Sequence, residues 1–174
     1  QLAAHPGNAM VFFPSYAYLS RVDALLAAEG VPGAAILREA RGLTEEEKNA
    51  LLGAFDKRDG RIVLLAVLGG AFAEGVDLAG ERLQNVIVVS TGLPQMDARV
   101  RAMRRYHDEN GADGAFLCMT LPGMVRVIQS AGRLIRTQSD HGALLLIDSR
   151  YQRGAERALL SGTLIGDALS GGSA

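Results

Sequence analysis

The chain has 174 residues, of which 48% are hydrophobic and 21% charged, and its formal net charge is −1. This length fits one domain with a core large enough to fold without disulfides or structural metals. The near-neutral charge gives no overall attraction to nucleic acid, and no stretch reaches the roughly 18 apolar residues that a membrane span needs. We therefore expect one globular domain with no membrane partner.

Three further features concern the context of the chain. A single cysteine, Cys118, excludes an internal disulfide and a cysteine-based metal site, so we expect a reducing, cytoplasmic compartment. Residues 1–5 resemble the tail of a helix, from which we expect a piece of a longer protein. We expect one lobe over residues 1–169 and a flexible Gly/Ser-rich tail over residues 170–174.

Apolar runs alternate with segments of helical periodicity along the chain. In the first half the predicted elements are a strand over Ala9–Phe13, a helix over Tyr16–Glu29, a strand over Ala35–Leu37, a helix capped by Thr44 that runs to about Lys57, and a strand over Arg61–Leu68. In the second half they are a strand over Asn85–Ser90, helices over Gln95–Asn110 and Pro122–Thr137, a strand over Ala143–Ile147 and a helix over Gln152–Leu160.

Strands that are apolar throughout and alternate with helices predict a three-layer α/β fold. Its sheet is expected to be mostly parallel, with helices on both faces. In such sheets, chemistry lies in the loops at the carboxyl ends of the strands. The loops after Phe13, Leu68 and Ile147 are therefore candidate site loops, together with the helix that carries Arg133.

The loop after Leu68 is rich in glycine and contains two acidic residues, Glu74 and Asp77. Its glycines allow backbone N–H groups to approach a phosphate or another backbone closely. The acids could hold a metal-bound water, a ribose hydroxyl or an arginine. The alternative is a loop whose glycines only form tight turns and whose Glu74 caps it locally.

The segment Gln129-x-x-Gly132-Arg133-x-x-Arg136 is the most informative part of the sequence. On a helix, Gln129, Arg133 and Arg136 are separated by four and three residues and share one face. A glycine inside a helix costs about 1 kcal/mol relative to alanine, which suggests that another group passes close to it. Two guanidiniums and an amide would then project together, as needed to clamp a transferring γ-phosphoryl group. The alternative is a solvated basic helix.

Four segments resemble those of the XPD/DinG branch of superfamily 2 DNA helicases. Phe12–Tyr16 resembles its motif IV, Glu74–Asp77 its motif V, Pro122–Arg136 its motif VI, and Asp148–Tyr151 the segment after its last strand. They occur in the family's order and lie within residues 8–151, nearly the whole chain. The resemblance implies the second of two RecA-like lobes, between which ATP binds.

The sequence contains no G-x-x-x-x-G-K-[ST] phosphate-binding loop and no dinucleotide-binding G-x-G-x-x-G after a strand. By the resemblance, the first lobe of the same protein supplies the phosphate-binding loop, the Mg²⁺ carboxylates and an iron–sulfur cluster domain. The chain is then half of a 5′-to-3′ DNA helicase and is inactive by itself.

The resemblance also implies roles for individual residues. Arg136 would be the arginine finger on the γ-phosphate of ATP, with Arg133 beside it and Gln129 orienting the phosphate or the attacking water. The residues implied to line the ATP side are Glu74, Gly75, Asp77 and Gly132. Those implied to contact single-stranded DNA are Ser15, Tyr16 and Gly70, and Arg150 is implied either to contact DNA or to brace the lobe.

Two other classes of protein remain as alternatives. The nucleotide-sugar lobe of a two-domain glycosyltransferase also places a Glu-Gly pair in a glycine-rich loop after a buried strand. It has no need of Gln-x-x-Gly-Arg-x-x-Arg on a later helix, which distinguishes the two. A non-catalytic interaction module on the same fold would tolerate reversal of the charges of Arg133 and Arg136.

Overall fold

Five largely apolar segments of the described residues form one sheet in the computed structural model. Residues 6–56, 60–73, 78, 82–134, 142–163 and 165–166 are described by the structure. The strands are β1 (Ala9–Phe13), β2 (Ala34–Arg38), β3 (Arg61–Val67), β4 (Asn85–Val89) and β5 (Ala143–Ile147). Their order is β2-β3-β1-β4-β5, and every pairing among them is parallel.

Among the described residues, five helices connect or follow the strands. They are α1 (Tyr16–Glu29), α2 (Glu45–Gly53), α3 (Ala98–Glu109), α4 (Leu121–Ala131) and α5 (Gly154–Ser161). Short 3₁₀ turns cover Ala54–Asp56 and Ser149–Gln152, and a π-helical turn over Phe116–Thr120 leads into α4. Within the described part of the chain, no helix combines the length and apolar character that crossing a membrane requires.

The two faces of the sheet bury separate cores. On one face, β1, β3 and β4 pack against Leu19 and neighbouring side chains of α1. On the other face they pack against α2, α4 and α5, through residues that include Met124, Val127 and Leu160. This arrangement confirms the predicted three-layer α/β fold. α3 contributes no buried residue to either core.

Local signals placed several boundaries correctly. β1, α1 and β5 have the predicted bounds, and Thr44 caps α2. The hydroxyl of Thr44 accepts a hydrogen bond from the N–H of Glu47, whose carboxylate accepts one from the N–H of Thr44 in return. α2 ends at Gly53, earlier than predicted, because the chain continues as a 3₁₀ turn that buries Phe55.

The helix predicted over Pro122–Thr137 is the main correction, because α4 ends at Ala131. The N–H of Gly132 still bonds to the carbonyl of Ile128, but that of Leu134 bonds to Ala131 in a tighter turn. Arg133 and Leu134 are both buried in this turn. Burial of these two side chains, together with the low helix propensity of glycine, accounts for the early end.

The start of α4 packs directly on the loop that follows β4. A Cβ atom built on Gly123 would lie 2.5 Å from the carbonyl oxygen of Thr91, whereas one built on Gly53 in α2 would meet nothing within 4 Å. Glycine at position 123 is therefore required by the close approach of two backbones.

Gly123→Ala should consequently destabilise the chain by about 1–3 kcal/mol, as overpacking does. Gly53→Ala should stabilise it by about 0.5–1 kcal/mol, because alanine is the better helix former. At this chain length, each 1 kcal/mol shifts the melting temperature by roughly 2–4 °C, which thermal unfolding can measure. Equal shifts in the two variants would contradict the close packing of α4 on the loop.

Candidate functional site

The parallel pairing brings five loops to one edge of the sheet. Phe13 is in register with Val67, and Val89 with Ile147, so these strands all end at the same level. The loops after β1, β3 and β5 are those that the sequence analysis selected. The loops after β2 and β4 also lie at this edge, although no pattern in their sequence predicted a role for them.

The glycine loop, residues 69–73 after β3, is held by a carboxylate from the loop after β2. Glu39 accepts hydrogen bonds from the N–H groups of Val67 at 2.8 Å and Ala71 at 2.7 Å. A Cβ atom on Gly70 would lie 2.1 Å from a Glu39 oxygen, so the glycine makes room for the carboxylate. Phe72 is fully buried and anchors the loop. The sequence-predicted residues Glu74, Gly75 and Asp77 lie outside the described residues.

The end of α4 is joined to this loop by Arg133. The side chain is 9% exposed, and its guanidinium donates a hydrogen bond to the carbonyl of Ala73. Gln129, in the last turn of α4, is exposed instead. The prediction that Gln129 and Arg133 project together from one face is therefore wrong for this conformation. Arg136 lies outside the described residues.

Gly132 also differs from the expectation that another element passes close to it. Among the described atoms, a Cβ at this position would meet the backbone carbonyls of Ile128, at 3.1 Å, and Gln129, at 3.9 Å. Both belong to the preceding helical turn. Gly132 is exposed, so its surface is open to a ligand rather than covered by the fold.

Arg126, one turn before the end of α4, lies between the loops after β3 and β4. Its guanidinium donates to the carbonyl of Gly92 at 3.3 Å. A Cβ on Gly69, whose φ is +79°, would lie 3.3 Å from Nε of the same arginine. Arg126 was only one of several arginines in the sequence, and its place between two loops required the fold.

The segment after β1 has fixed contacts of its own. Ser15 is exposed, and its hydroxyl caps α1 by accepting from the N–H of Tyr18. The Tyr16 hydroxyl donates to Glu39 at 2.6 Å, and the guanidinium of Arg41 lies 4.5 Å from the centre of the Tyr16 ring. Burial, and then the hydrogen bond to the Glu39 carboxylate, raise the pKa of Tyr16 to about 12. The hydroxyl therefore keeps its proton at neutral pH and serves as a hydrogen-bond donor to Glu39.

The segment after β5 forms hydrogen bonds to the turn after β4. Arg150 forms two hydrogen bonds to the carboxylate of Asp148, at 2.8 and 2.7 Å, which lower the pKa of Asp148. Arg150 also reaches the Ser90 hydroxyl at 3.3 Å, and the Tyr151 hydroxyl donates to the Ser90 carbonyl. Ser90 has φ +70°, a conformation that non-glycine residues seldom adopt. These contacts hold the turn in place.

Glu39 is the principal site residue that sequence reasoning missed. A charged residue directly after a strand was the available signal, because strand ends form the site edge. The described residues contain no group of three or more His, Cys, Asp or Glu side chains that could hold a metal ion. The exposed groups at the end of α4 include Gln129 and Gly132, which offer hydrogen-bond donors.

The parallel five-stranded sheet, with helices packed on both faces, defines a RecA-like lobe. The sequence pattern of the helicase C-terminal domain family matches residues 1–164. The chain therefore belongs to that family, and the resemblance to XPD/DinG-type helicases is confirmed.

Curated relatives agree with this assignment. The regulator of telomere elongation helicase 1 homolog of Anopheles gambiae is 33% identical over 172 residues, which cover 90% of this chain and 17% of the relative. The ATP-dependent DNA helicase chl-1 of Caenorhabditis elegans is 30% identical over 168 residues, covering 93% of this chain and 20% of the relative. The chain thus spans about a fifth of the length of these relatives.

Solved structures share the fold. An apo XPD structure superposes with a TM-score of 0.73 at 21% identity, covering 91% of this chain and 32% of that one. Xpd4 of S. tokodaii gives a TM-score of 0.60 at 22% identity, covering 92% of this chain and 29% of that one. Domain 2 of the DEAD-box helicase Mss116p gives 0.52 at 16% identity, covering 91% and 48%.

Proposed function

We propose that this chain is the second motor lobe of an ATP-dependent 5′-to-3′ DNA helicase. It would supply the arginine finger and part of the single-stranded DNA track, and the N-terminal lobe of the same protein would complete the ATP site. The observation that carries the proposal is the contact between Arg133 and Ala73. It joins the segment similar to motif VI to the glycine loop that leads into the segment similar to motif V.

On the ATP side, Arg136 would contact the γ-phosphate, and Gln129 would orient the phosphate or the attacking water. Gln129 and Gly132 are exposed at the edge of the lobe, which is consistent with a ligand bound there. Arg133 would act beside Arg136 by holding the glycine loop against α4. Glu74, Gly75 and Asp77 would line the ribose or water side of the same site. Mg²⁺ and the phosphate-binding loop would come from the first lobe, as would any iron–sulfur cluster.

On the DNA side, the strand would lie across the start of α1 and the glycine loop. Ser15 is exposed, Tyr16 is half-buried, and Gly70 is half-buried next to Glu39. These groups would contact the backbone or stack on a base, which is the usual mode of sequence-independent single-strand binding. Arg150 is held by Asp148, so its proposed role is to brace the turn at Ser90 beside the strand.

The isolated chain should not hydrolyse ATP, with or without single-stranded DNA. Its sequence has no phosphate-binding loop and therefore no lysine or backbone cradle for the β- and γ-phosphates. Phosphate release by the purified chain is the measurement, and the full-length protein that carries this chain is the positive control. DNA-stimulated turnover that persists in the purified chain and disappears with Arg136→Ala would contradict the proposal that this lobe holds only half of the site.

A further inference from the structure

Glu39 is a buried carboxylate with an unusual set of partners. Glu39 is only 3% exposed, and burying an unpaired carboxylate is costly. No described residue forms an ion pair with it. Its oxygens instead accept from the N–H of Val67, the N–H of Ala71 and the hydroxyl of Tyr16, at 2.8, 2.7 and 2.6 Å. All three partners are donors, so the position requires a group that only accepts.

These bonds join three elements that are distant in sequence. Glu39 follows β2, Tyr16 is the first residue of α1, and Ala71 lies in the glycine loop after β3. The loop is held a second time two residues later, where the Ala73 carbonyl accepts from Arg133. Hydrogen bonds, together with the backbone of residues 71–73, therefore link the start of α1, through Glu39 and the glycine loop, to the end of α4.

We propose that Glu39 is a positioning residue that makes the placement of Tyr16 and of the glycine loop depend on each other. The inference rests on the proposed function, in which Tyr16 contacts single-stranded DNA and the loop leads to the ATP side. A DNA strand whose binding displaces the Tyr16 ring then also displaces the Glu39 carboxylate, and the carboxylate in turn displaces the glycine loop. Such coupling acts in both directions, so nucleotide bound at the loop also biases Tyr16.

The positions of Gly70 and Arg41 support the proposed role of Glu39. Gly70 leaves the space that the carboxylate fills, since a Cβ there would overlap a Glu39 oxygen at 2.1 Å. The Arg41 guanidinium covers one side of the Tyr16 ring at 4.5 Å from its centre. The Tyr16 ring is thus fixed at its hydroxyl by Glu39 and on one face by Arg41, which limits the ways in which it can move.

The test uses four variants of the full-length protein that carries this chain. Glu39→Gln keeps the shape of the side chain but turns an amino group toward one of the donors. Tyr16→Phe removes the hydroxyl alone, and the double variant combines the two substitutions. Glu46→Gln makes the same chemical change at an exposed position in the first turn of α2 and serves as the matched control.

We expect Glu39→Gln to lower DNA-stimulated ATP turnover by roughly 10- to 100-fold, the scale of a misplaced site element. Tyr16→Phe should lower it less. The double variant should equal Glu39→Gln, because both changes break one linkage and their effects are not additive. Glu46→Gln should stay within about twofold of the unaltered protein, since an exposed carboxylate contributes little. Turnover is to be expressed per folded molecule, with folding checked by thermal unfolding.

Three results would overturn the proposal. They are additive effects of Glu39→Gln and Tyr16→Phe, turnover of the Glu39→Gln variant within about twofold of the unaltered protein, and a lowered melting temperature with unchanged turnover per folded molecule. If the Glu39→Gln variant does not fold, Tyr16→Phe still tests the proposal, because it leaves both backbone hydrogen bonds to Glu39 in place. Unaltered turnover of that variant at every DNA concentration would show that Tyr16 and the loop are independent.

A second measurement separates this inference from the proposed function. Hydrogen exchange on this chain reports whether the N–H groups of Val67 and Ala71 are protected. Glu39→Gln should speed their exchange by about tenfold relative to Glu46→Gln, as expected for loss of a local hydrogen bond. Unchanged exchange overturns the role of Glu39. If Glu39→Gln speeds exchange but the full-length protein shows no DNA-stimulated ATP turnover, the proposed function is contradicted while the structural role of Glu39 is supported.

Discussion

Replacing Arg136 with alanine is expected to lower ATP turnover by roughly 10³- to 10⁵-fold in the full-length protein that carries this chain. The expectation rests on the place of Arg136 in the motif, three residues after Arg133. Its proposed partner is the γ-phosphoryl group, whose oxygens need stabilisation most in the transition state. The fold and the affinity for DNA should change little, because the proposed partner of Arg136 is bound ATP rather than a group of the folded lobe.

Two further variants sharpen the Arg136 experiment. Arg136→Lys should not restore turnover, because an ammonium group lacks the planar fork of a guanidinium. Arg157→Ala, at an exposed position of α5, removes the same charge from a residue outside the segments assigned to the site and should leave turnover unchanged. Single-turnover ATP hydrolysis with saturating DNA is the measurement. A value for Arg136→Ala within about threefold of the unaltered protein would show that Arg136 is an ordinary surface residue.

Arg133→Ala is expected to affect both stability and activity. Removing the guanidinium leaves the Ala73 carbonyl without this donor, and an unsatisfied buried acceptor costs about 1–3 kcal/mol. The melting temperature should therefore fall by roughly 2–12 °C. Turnover should fall by about 10²-fold even in the folded molecules, because the glycine loop is no longer held against the end of α4.

The pair of effects distinguishes Arg133 from its neighbour. Arg136→Ala should reduce turnover without a change in melting temperature, whereas Arg133→Ala should reduce both. Arg157→Ala again serves as the control, and thermal unfolding in parallel with ATP hydrolysis gives the two readouts. If Arg133→Ala leaves the melting temperature within about 1 °C of the unaltered protein, where the lost bond predicts 2 °C or more, then Arg133 does not brace the loop.

Sequence reasoning anticipated the fold because its signals are local. An apolar run such as Ala9–Phe13 specifies a buried strand, and the capping box at Thr44 specifies where a helix begins. The order of strands and helices was then enough to predict a parallel sheet and a site at its carboxyl edge. The spacing of Gln129, Gly132 and Arg133 also pointed to the family that the comparison with known domains established.

The direction of individual side chains was not predictable in this way. Helical spacing predicted Gln129 and Arg133 on one face. Arg133 instead points into the fold, where it donates to the carbonyl of Ala73, 60 residues away in sequence. Arg150 was expected to face DNA or brace the lobe, and its two bonds to Asp148 hold it as a brace. Each of these outcomes depends on which distant group lies opposite when the sheet has formed.

By itself, then, the sequence determined the order and type of the elements and the family. Each follows from patterns among neighbouring residues, which act before any long-range contact forms. The end of α4, the burial of Arg133 and the role of Glu39 were decided only by the tertiary structure. Glu39 meets Ala71 across 32 residues and Tyr16 across 23, and only the packed sheet brings those donors to one carboxylate.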